Sequence, residues 1–397
     1  MKKNTIIVAV FILAIFYSCQ KKIGNPTEVQ NHPETLNDDS TSHVLPAQLL
    51  KGINLSNWFE DMSGSTQYGS LFTPVHFSTI KNLGFTYVRI PVGRSVLFQP
   101  ADPSVLNPSN LPYVENAVKM ATDAGLAVLI DYHPGTNYNV NEKQLFDNDS
   151  AMNALVLYWK AVANHFKKYS SSQVFFEVYN EQHAAKLNSH VDQWQWWWPQ
   201  QQKIVDAIRQ VTTKHYIIVG AENYNNIPCL VANKPYSESR VIYNFHFYQP
   251  FAFTHQGAAG TGGSIYGSLR NLPYPSTPQN VAPLIAGTSD TAVKNLLADY
   301  GNMYYNAHLL DSIIKVASVW AHTYKVPIMC DEFGVYKKYA PVPDRLQYLK
   351  DVRGIFEKYG IGWAMWDCDG ESGFITYTSD NRSDIAIDEK VINALGL

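Results

Sequence analysis

The sequence is poor in cysteine, and this scarcity excludes structures that depend on paired thiols. Only four cysteines occur in 397 residues, and no Cys-x-x-Cys spacing is present. Neither a disulfide framework nor a structural zinc site is therefore indicated. Apart from Cys19, we interpret Cys229, Cys330 and Cys368 as buried free thiols. Cys330 and Cys368 fall on predicted neighbouring strands, so a bond between them stays open as an alternative.

An excess of charge of either sign is also lacking. Charged residues make up 16% of the chain, and the formal net charge is −3. Such a chain has no strong positive field to attract nucleic acid, so we expect no nucleic-acid partner. By contrast, 46% of the residues are hydrophobic, which allows a large core. The length suits one barrel-sized domain or two average domains.

The apolar run near the N-terminus is too short to cross a bilayer, which takes about 20 residues. It extends from Ile6 to Phe16 behind two lysines and is followed by Ser18 and Cys19. This pattern predicts a bacterial lipoprotein-type signal peptide over residues 1–19, with Cys19 as the lipidated residue. Ordinary secretion is the alternative, because residues 16 and 17 depart from the commonest lipoprotein pattern.

The segment behind the signal peptide shows no hydrophobic periodicity. Residues 20–48 are polar and predict a flexible tether, which leaves 49–397 as the folded domain. We therefore expect an exported protein, either lipid-anchored to the bacterial cell envelope or secreted. It would contact a membrane only through Cys19, and we expect it to be a monomer.

Glycine-rich phosphate-binding motifs are absent after the early strands, which disfavours a doubly wound nucleotide-binding sheet. Instead, apolar runs of strand length alternate with amphipathic segments of helix length. Most runs lack clean alternation, as expected for parallel strands covered on both faces. The eight predicted strands are Gly52–Ser56, Thr86–Val92, Leu126–His133, Val174–Asn180, Tyr216–Ala221, Val241–Phe247, Pro327–Glu332 and Gly362–Asp367.

Helices are predicted between these strands. Eight repeats of strand then helix predict an α/β fold, a single-domain (β/α)₈ TIM barrel, with a doubly wound open sheet as the alternative. The active sites of such barrels lie at the C-terminal ends of the strands. The predicted helices run from Thr73 to near Gly84, then Leu111–Asp123, Ser150–Tyr169, Asp192–Thr212, Met303–Tyr324 and Asp344–Tyr359.

Two glutamates stand where predicted strands end. Glu181 lies in Val178–Gln182, and Glu332 lies in Met329–Gly334. Retaining hydrolysis of a glycosidic bond needs two carboxyl groups about 5 Å apart, one as proton donor and acceptor and the other as nucleophile. Glu177 shares a strand face with Glu181 but lies deeper, so we assign it a structural role.

Arg89 lies inside an otherwise apolar strand, and a buried guanidinium needs a carboxylate partner such as Glu332 or Glu177. A carboxylate beside Arg89 should keep a low pKa and suit a nucleophile. The other carboxyl group, near that negative charge and an apolar wall, should have a raised pKa and suit an acid. Tyr248 is a candidate donor to the nucleophile, and Asn180 is a candidate donor to the 2-hydroxyl of the sugar.

Histidines follow two of the predicted strands. Asp131 and His133 share one face, as do His246 and Tyr248. Such histidines can indicate a metal site, but a metal-dependent barrel hydrolase would want His-x-His on its first strand, which reads Gly-Ile-Asn-Leu-Ser. Each histidine alone could be a core residue bonded to a backbone carbonyl, whereas their matching depth favours a shared site. We expect no metal and no cofactor.

Aromatic residues make up 13% of the chain, which mildly favours a carbohydrate cleft because aromatic faces stack on sugar rings. Gln249 to about Tyr300 is predicted to be a long loop that shapes such a cleft. Its candidate subsite residues are Phe251, Phe253, His255 and Tyr266.

Four tryptophans begin the helix predicted after Glu181, and we interpret them as helix packing. Trp194 or Trp196 could instead face the cleft. The four are Trp194, Trp196, Trp197 and Trp198.

Seven short motifs occur in order at consecutive strand ends, and together they resemble glycoside hydrolase family 5, the cellulase family of the large retaining barrel clan. The motifs are Lys51–Leu55, Gly84–Val92, Gly125–His133, Asn180–Glu181, His246–Tyr248, Glu332–Gly334 and Trp363–Trp366. The resemblance implies Glu181 as acid/base and Glu332 as nucleophile. It also implies a substrate-binding site made of Arg89, His133, Asn180, His246, Tyr248 and Trp366. Gln182 and Asp331 depart from the family pattern, which often has proline and a small residue there.

These observations lead to a retaining hydrolase of internal β-1,4-glucosidic bonds in cellulose or a related β-glucan. The first alternative is the same double displacement acting on mannan, xyloglucan or β-1,3-glucan. The second, of another class, is a surface glycan-binding lipoprotein built on an inactive barrel. In each case the expected partner is a β-linked polysaccharide or oligosaccharide.

Overall fold

The computed structural model describes residues 44–60, 67–134, 145, 149–183, 195–258, 264–378, 382 and 384–397. The predicted signal peptide and nearly all of the predicted tether lie outside these residues. Among the helices in the described part of the chain, none has both the length and the apolar character needed to cross a bilayer.

Eight parallel strands close into a barrel in chain order, with β1 pairing to both β2 and β8. The predicted (β/α)₈ TIM barrel is confirmed. Each predicted strand overlaps an observed one, and β4 differs most because it ends three positions early. The strands are β1 Lys51–Asn54, β2 Tyr87–Gly93, β3 Ala127–His133, β4 Val174–Glu177, β5 Ile217–Gly220, β6 Val241–Phe247, β7 Ile328–Phe333 and β8 Gly362–Met365.

Helices follow the strands and cover the outside of the barrel. The first begins with Pro74 behind the capping residue Thr73, as its sequence predicts. The longer helices that accompany the barrel are Pro74–Asn82, Leu111–Asp123, Asp149–Phe166, Trp197–Arg209, Ala307–Tyr324, Val342–Lys358 and the C-terminal Glu389–Ala394. All but the last overlap a predicted helix.

Side chains alternate between the barrel interior and the helical layer along each strand. A small apolar cluster containing Tyr87, Leu129 and Phe175 fills the lower interior. Their neighbours, such as Val88 and Phe176, belong to the large core between strands and helices. Further along the same inward-facing rows the residues become polar and charged. The apolar cluster is thus a floor on which the polar residues are stacked.

Strand β7 interrupts this alternation with a β-bulge. Met329 of β7 pairs with Asn244 of β6, and Glu332 pairs with His246. Between these two pairs β7 has two residues, whereas β6 has one. The pairing of β7 with β8 shifts nearby, where Asp331 and Glu332 lie between the paired residues Cys330 and Phe333. A bulge re-aims side chains by inserting one extra residue. Asp331 and Glu332 can therefore both contact the barrel interior although they are consecutive.

One prediction about a chain segment is wrong, and one feature was not predicted. The segment from Gln249 to Tyr300 is predicted to be a loop, but its described part contains several helices. A small hairpin before the C-terminal helix was not predicted from the sequence. The helices are Phe251–Thr254, Ser264–Ser268, Pro278–Ala286 and Thr291–Asn302, and the hairpin strands are β9 Ile375–Tyr377 and β10 Ile385–Ile387.

Cys229, Cys330 and Cys368 are buried free thiols, as predicted. The alternative bond between Cys330 and Cys368 is therefore not formed. Cys19 lies outside the described residues.

Candidate active site

Arg89 is the centre of a buried ionic cluster in the upper barrel. Its Nε and one terminal nitrogen donate to the two carboxylate oxygens of Glu177 at 2.6 and 2.9 Å. The other terminal nitrogen donates to Glu332 Oε1 at 2.7 Å and to Asn54 Oδ1 at 2.9 Å. Both partners considered from the sequence, Glu332 and Glu177, are thus contacted at once. The guanidinium fork makes this possible because its donors point in different directions.

Two aspartates complete the surroundings of Arg89. Asp131 Oδ2 lies 3.0 Å from the guanidinium, and Asp331 Oδ2 lies 3.7 Å from it. Burial alone would lower the pKa of Arg89, but the carboxylates, Asp131 and Glu177 foremost, raise it well above its usual value. Burial raises the pKa of Glu177 well above its usual range despite Arg89. The protonated form of Glu177 is therefore favoured, which reduces the negative charge around a single guanidinium.

Glu181 and Glu332 face one another across the mouth of the barrel. Their nearest carboxyl oxygens, together with a ring nitrogen of His246, all lie within 4.8 Å of one another. The Tyr248 hydroxyl donates to Glu332 Oε2 at 3.0 Å. His246 Nδ1 donates to Glu181 Oε1 at 2.8 Å. This carboxyl separation agrees with the spacing of about 5 Å that retaining hydrolysis needs.

The protonation preferences of the two glutamates are the reverse of those expected from the sequence. Burial raises the pKa of Glu332, and the opposing influence of His246 and Arg89 does not cancel it. Burial also acts to raise the pKa of Glu181, but the hydrogen bond and the charge of His246 lower it overall. The sequence expectation was wrong because it considered Arg89 and overlooked His246. Its Nδ1 atom lies 2.8 Å from Glu181 Oε1 and 3.4 Å from Glu332 Oε2, so it is closer to Glu181.

His133 and Asn180 form a second polar group on the other side of Arg89. Asp131 Oδ2 lies 2.9 Å from His133 Nδ1, and Asn180 Nδ2 lies 3.2 Å from His133 Nε2. Asn180 Oδ1 accepts a hydrogen bond from Arg89 at 2.8 Å. Because Arg89 binds the amide oxygen of Asn180, the amide nitrogen of Asn180 points away from Arg89.

Trp366 is half-buried, and its ring stacks near His133 at a centroid distance of 6.2 Å. All eight residues predicted for the site therefore lie in one connected region at the C-terminal ends of the strands. Those eight are Arg89, His133, Asn180, Glu181, His246, Tyr248, Glu332 and Trp366.

Several residues of this region were not singled out from the sequence. Asn54, at the end of β1, donates to the backbone carbonyl of Asp331 at 2.8 Å and thereby supports β7. Glu60 is buried, and burial raises its pKa to about 7 against the influence of His133. Asn54 belongs to a motif that was noted, so a signal existed. Nothing in the sequence around Glu60 distinguishes it from a solvent-exposed loop residue.

Asn225 was also missed, and its backbone is unusual. Asn223, Tyr224 and Asn225 all have left-handed backbone angles, with φ values of 59°, 63° and 51°. Left-handed geometry costs roughly 1–2 kcal/mol per residue for side chains other than glycine. The turn brings the Asn225 amide to 3.3 Å from His246 Nε2. Glu181 itself has a φ of 46°.

The aromatic candidates divide into core and rim. Phe253 is fully buried against Tyr274, so its prediction as a subsite residue is wrong. His255 is also buried and stacks on half-buried Phe251 at 3.7 Å. Tyr266 lies against the edge of Phe251.

The tryptophans after Glu181 serve mainly as packing. Trp197 is completely buried against Tyr179, and Trp198 lies over Tyr236. Trp196 is half-buried and packs beside Trp197. Trp194 lies outside the described residues.

Two sets of side chains in the cluster have a spacing that a metal ion accepts, with ligand atoms within 4.8 Å of one another. The sets are Glu177, His246 and Asp331, and Glu181, His246 and Glu332. His246 belongs to both. Burial would lower its pKa, but Glu332, Asp331 and Glu181 raise it well above its usual value. A histidine must be neutral to bind a metal, so a proton on His246 would compete with a metal ion for the ring. Metal-free chemistry stays a prediction.

A closed (β/α)₈ barrel with paired carboxyl groups at the ends of its fourth and seventh strands is the architecture of a glycosidase, an enzyme that hydrolyses O-glycosyl bonds. The sequence profile named Cellulase (glycosyl hydrolase family 5) matches residues 46–372. The chain belongs to this family.

Two proteins of similar sequence and one solved structure are endoglucanases by name. Endoglucanase 3 of Fibrobacter succinogenes is 27% identical over 347 residues, covering 82% of this chain and 50% of that protein. Endoglucanase C of Acetivibrio thermocellus is 23% identical over 349 residues, covering 87% of this chain and 97% of that protein. The structure of a hyperthermophilic endo-β-1,4-glucanase in complex with substrate superposes with a TM-score of 0.68 at 26% identity, covering 89% of this chain and 98% of that one. The chain thus spans half the length of the Fibrobacter protein.

Loss of Arg89 should strongly destabilise the fold. Arg89→Met keeps the length of the side chain but leaves buried carboxylates without their counter-charge. We expect the free energy of unfolding, measured by urea titration, to fall by about 3–5 kcal/mol. Lys119→Met is the control, because Lys119 pairs with Asp123 on an exposed helix surface. That variant should unfold at the wild-type urea concentration. Identical midpoints for both variants would contradict a central role for Arg89.

Proposed function

We propose that this protein hydrolyses internal β-1,4-glucosidic bonds of cellulose or a related β-glucan with retention of anomeric configuration. The observation that carries this proposal is the approach of the Glu181 and Glu332 carboxyl oxygens to within 4.8 Å. Inverting enzymes need about 6.5–9.5 Å to hold a water molecule between the two groups. The endoglucanase names of the relatives support a β-1,4-glucan as substrate.

Glu332 acts as the nucleophile in the proposed double displacement. Arg89 and Tyr248 each donate a hydrogen bond to a different oxygen of its carboxylate. These bonds stabilise the ionised form and aim it at the anomeric carbon. Glu181 donates a proton to the departing glycosidic oxygen. In the second step Glu181 accepts a proton from water, which attacks the glycosyl ester and releases Glu332.

Two other side chains, Asn180 and Trp366, contact the sugar at the point of cleavage, and their neighbours hold them in place. Arg89 fixes the amide of Asn180, so that its nitrogen can donate to the sugar 2-hydroxyl, where hydrogen bonds strengthen in the transition state. Trp366 offers its half-buried ring as a stacking platform, and His133 supports that ring. His246 is assigned to the acid/base side of the site because it contacts Glu181.

A panel of purified polysaccharides tests the activity. We expect release of reducing sugar from carboxymethyl cellulose or mixed-linkage β-glucan, with a rapid fall in viscosity that marks internal cleavage. Proton NMR during the reaction should show the β-anomer first. Turnover of only mannan, xyloglucan or β-1,3-glucan would transfer the mechanism to that substrate. Binding of glycans without any turnover would support the inactive-barrel alternative, and an α-anomer as first product would contradict retention.

Substitution of the two glutamates tests their roles. Glu332→Ala should lower kcat by more than about 10⁴-fold, and Glu181→Ala should lower it by about 10²–10⁴-fold for unactivated substrates. With an aryl β-cellobioside whose leaving group needs no proton, added azide should restore turnover in both, yielding a β-glycosyl azide from Glu181→Ala and an α-glycosyl azide from Glu332→Ala. Glu371→Gln, at an exposed position, is the control and should keep the wild-type rate. An exchange of the two azide products between the variants would show that the roles are reversed.

We also infer that the protein is exported and anchored through a lipid on Cys19, with residues 20–48 as the tether and 49–397 as a monomeric catalytic domain. The support is the charged and then apolar N-terminal sequence ending at Cys19. Radiolabelled palmitate should be incorporated into the full chain in a bacterial host and not into Cys19→Ser. Equal labelling of both would contradict the anchor, and release of the wild type into the medium would favour ordinary secretion.

A further inference from the structure

Asp331 is an additional buried carboxylate that the proposed reaction does not use. The bulge in β7 brings it to the barrel interior next to Glu332. Its side chain is completely buried, and one of its oxygens lies 3.1 Å from His246 Nε2. A carboxylate without solvent must be balanced by positive charge or hydrogen bonds. Its nearest cationic groups are Arg89, at 3.7 Å, and His246.

His246 connects Asp331 to Glu181 through opposite sides of one imidazole ring. Nδ1 lies 2.8 Å from Glu181 Oε1, and Nε2 lies 3.1 Å from Asp331 Oδ1. A carboxylate on one ring nitrogen fixes the orientation of the ring and keeps a proton on that nitrogen. The other nitrogen is then free to exchange its proton with its own partner, which here is Glu181.

The groups that face His246 come from four elements. The carboxyl groups come from β4 and the residues after it and from β7, and they are Glu177, Glu181, Asp331 and Glu332. The Asn225 amide, after β5, also faces the ring. Arg89 on β2 is the nearest cation of the cluster. Carboxylates outnumber cations around the ring, so a doubly protonated His246 is favoured. Burial alone would lower the pKa of His246, but the nearby carboxylates raise it, and Glu332 contributes most to this increase. These directions favour a proton on His246 over a proton on Glu181.

We propose that Asp331 is a positioning residue that acts through His246 to supply the proton which Glu181 delivers to the leaving group. The Nδ1 proton of His246 passes to Glu181 Oε1, and Glu181 protonates the glycosidic oxygen as that bond breaks. His246 is left neutral, with its remaining proton on Nε2 held by Asp331. In the second step Glu181 takes a proton from the attacking water and returns it to His246. Each cycle thus consumes one water and restores every proton.

This role rests on the proposed function and can fail independently of it. Substrates whose leaving groups need no proton separate the two. Dinitrophenyl β-cellobioside releases a stable anion, whereas methylumbelliferyl β-cellobioside and cellotetraose depend increasingly on acid assistance. If the wild type cleaves none of these substrates, the proposed function is wrong. If it cleaves them all but Asp331 variants behave like the wild type, only the role of Asp331 is wrong.

The test compares Asp331→Asn with the wild type on these three substrates. We expect kcat to fall by about 10²-fold on cellotetraose, by less on the methylumbelliferyl substrate, and by under about threefold on the dinitrophenyl substrate, with KM nearly constant. Without the negative charge, His246 holds its proton less tightly. The basic limb of the kcat/KM profile should therefore move to lower pH by at least about one unit.

Glu177→Gln is the matched control, because it also removes a buried carboxyl group near Arg89. Glu177 also lies within 4.8 Å of His246, but its protonated form is favoured, so this change removes no negative charge beside the ring. It should therefore lower kcat by a similar factor on all three substrates and leave the basic limb where it is. If Asp331→Asn lowered kcat equally for every leaving group, or left the basic limb of the kcat/KM profile at the wild-type pH, Asp331 would have only a structural role.

A measurement on the unmodified protein covers the case in which Asp331→Asn does not fold. Nitrogen-15 NMR of histidine-labelled wild type should show both ring nitrogens of His246 protonated at neutral pH. In a second variant, Asp331→Ser, His246 should lose a ring proton at a lower pH than in the wild type, although Glu332 and Glu181 still act on the ring. Titration of the wild-type ring near the ordinary histidine pKa would overturn the proposal.

Discussion

A single buried guanidinium organises the catalytic end of this barrel. Arg89 lies within ion-pair distance of carboxyl groups from β3, β4 and β7, so three strands are tied to a fourth by one side chain. Such a group is costly to bury, and it is tolerated only where all its donors are satisfied. The arrangement fixes Glu332 and the Asn180 amide relative to one another. Because the guanidinium is rigid and planar, the site is largely organised before any sugar binds.

The strands and the site could be predicted because, in a barrel, the position of a residue along its strand determines where its side chain lies. Apolar runs mark the strands, strand parity decides which face a residue occupies, and the C-terminal strand ends gather the polar residues. Glu181 and Glu332 were found in this way, as was the region around Arg89. The likeness of seven short motifs to family 5 adds predicted roles for these residues, which spacing alone leaves open.

The remaining features depend on tertiary geometry that local sequence does not encode. The bulge in β7 places consecutive acidic residues on one side, whereas strict alternation would separate them. The pKa order of Glu181 and Glu332 depends on which of them His246 contacts, and that contact crosses from β6 to the end of β4. The segment from Gln249 to Tyr300 is a different case, because local signals for two of its helices are present in the sequence. Thr277 and Asp290 cap these helices and accept backbone hydrogen bonds, whereas the loop prediction considered only the overall content of Gly, Pro, Ser and Thr.

The bulge has a consequence for how such an enzyme can diversify. Met329 and Glu332 would both point inward in an unbulged strand shortened by one residue, so the extra position adds the side chain of Asp331 to the interior without displacing Glu332. In the proposed mechanism, the residue at this extra position sets the pH range of the reaction, while the carboxyl groups that form and break bonds belong to other positions.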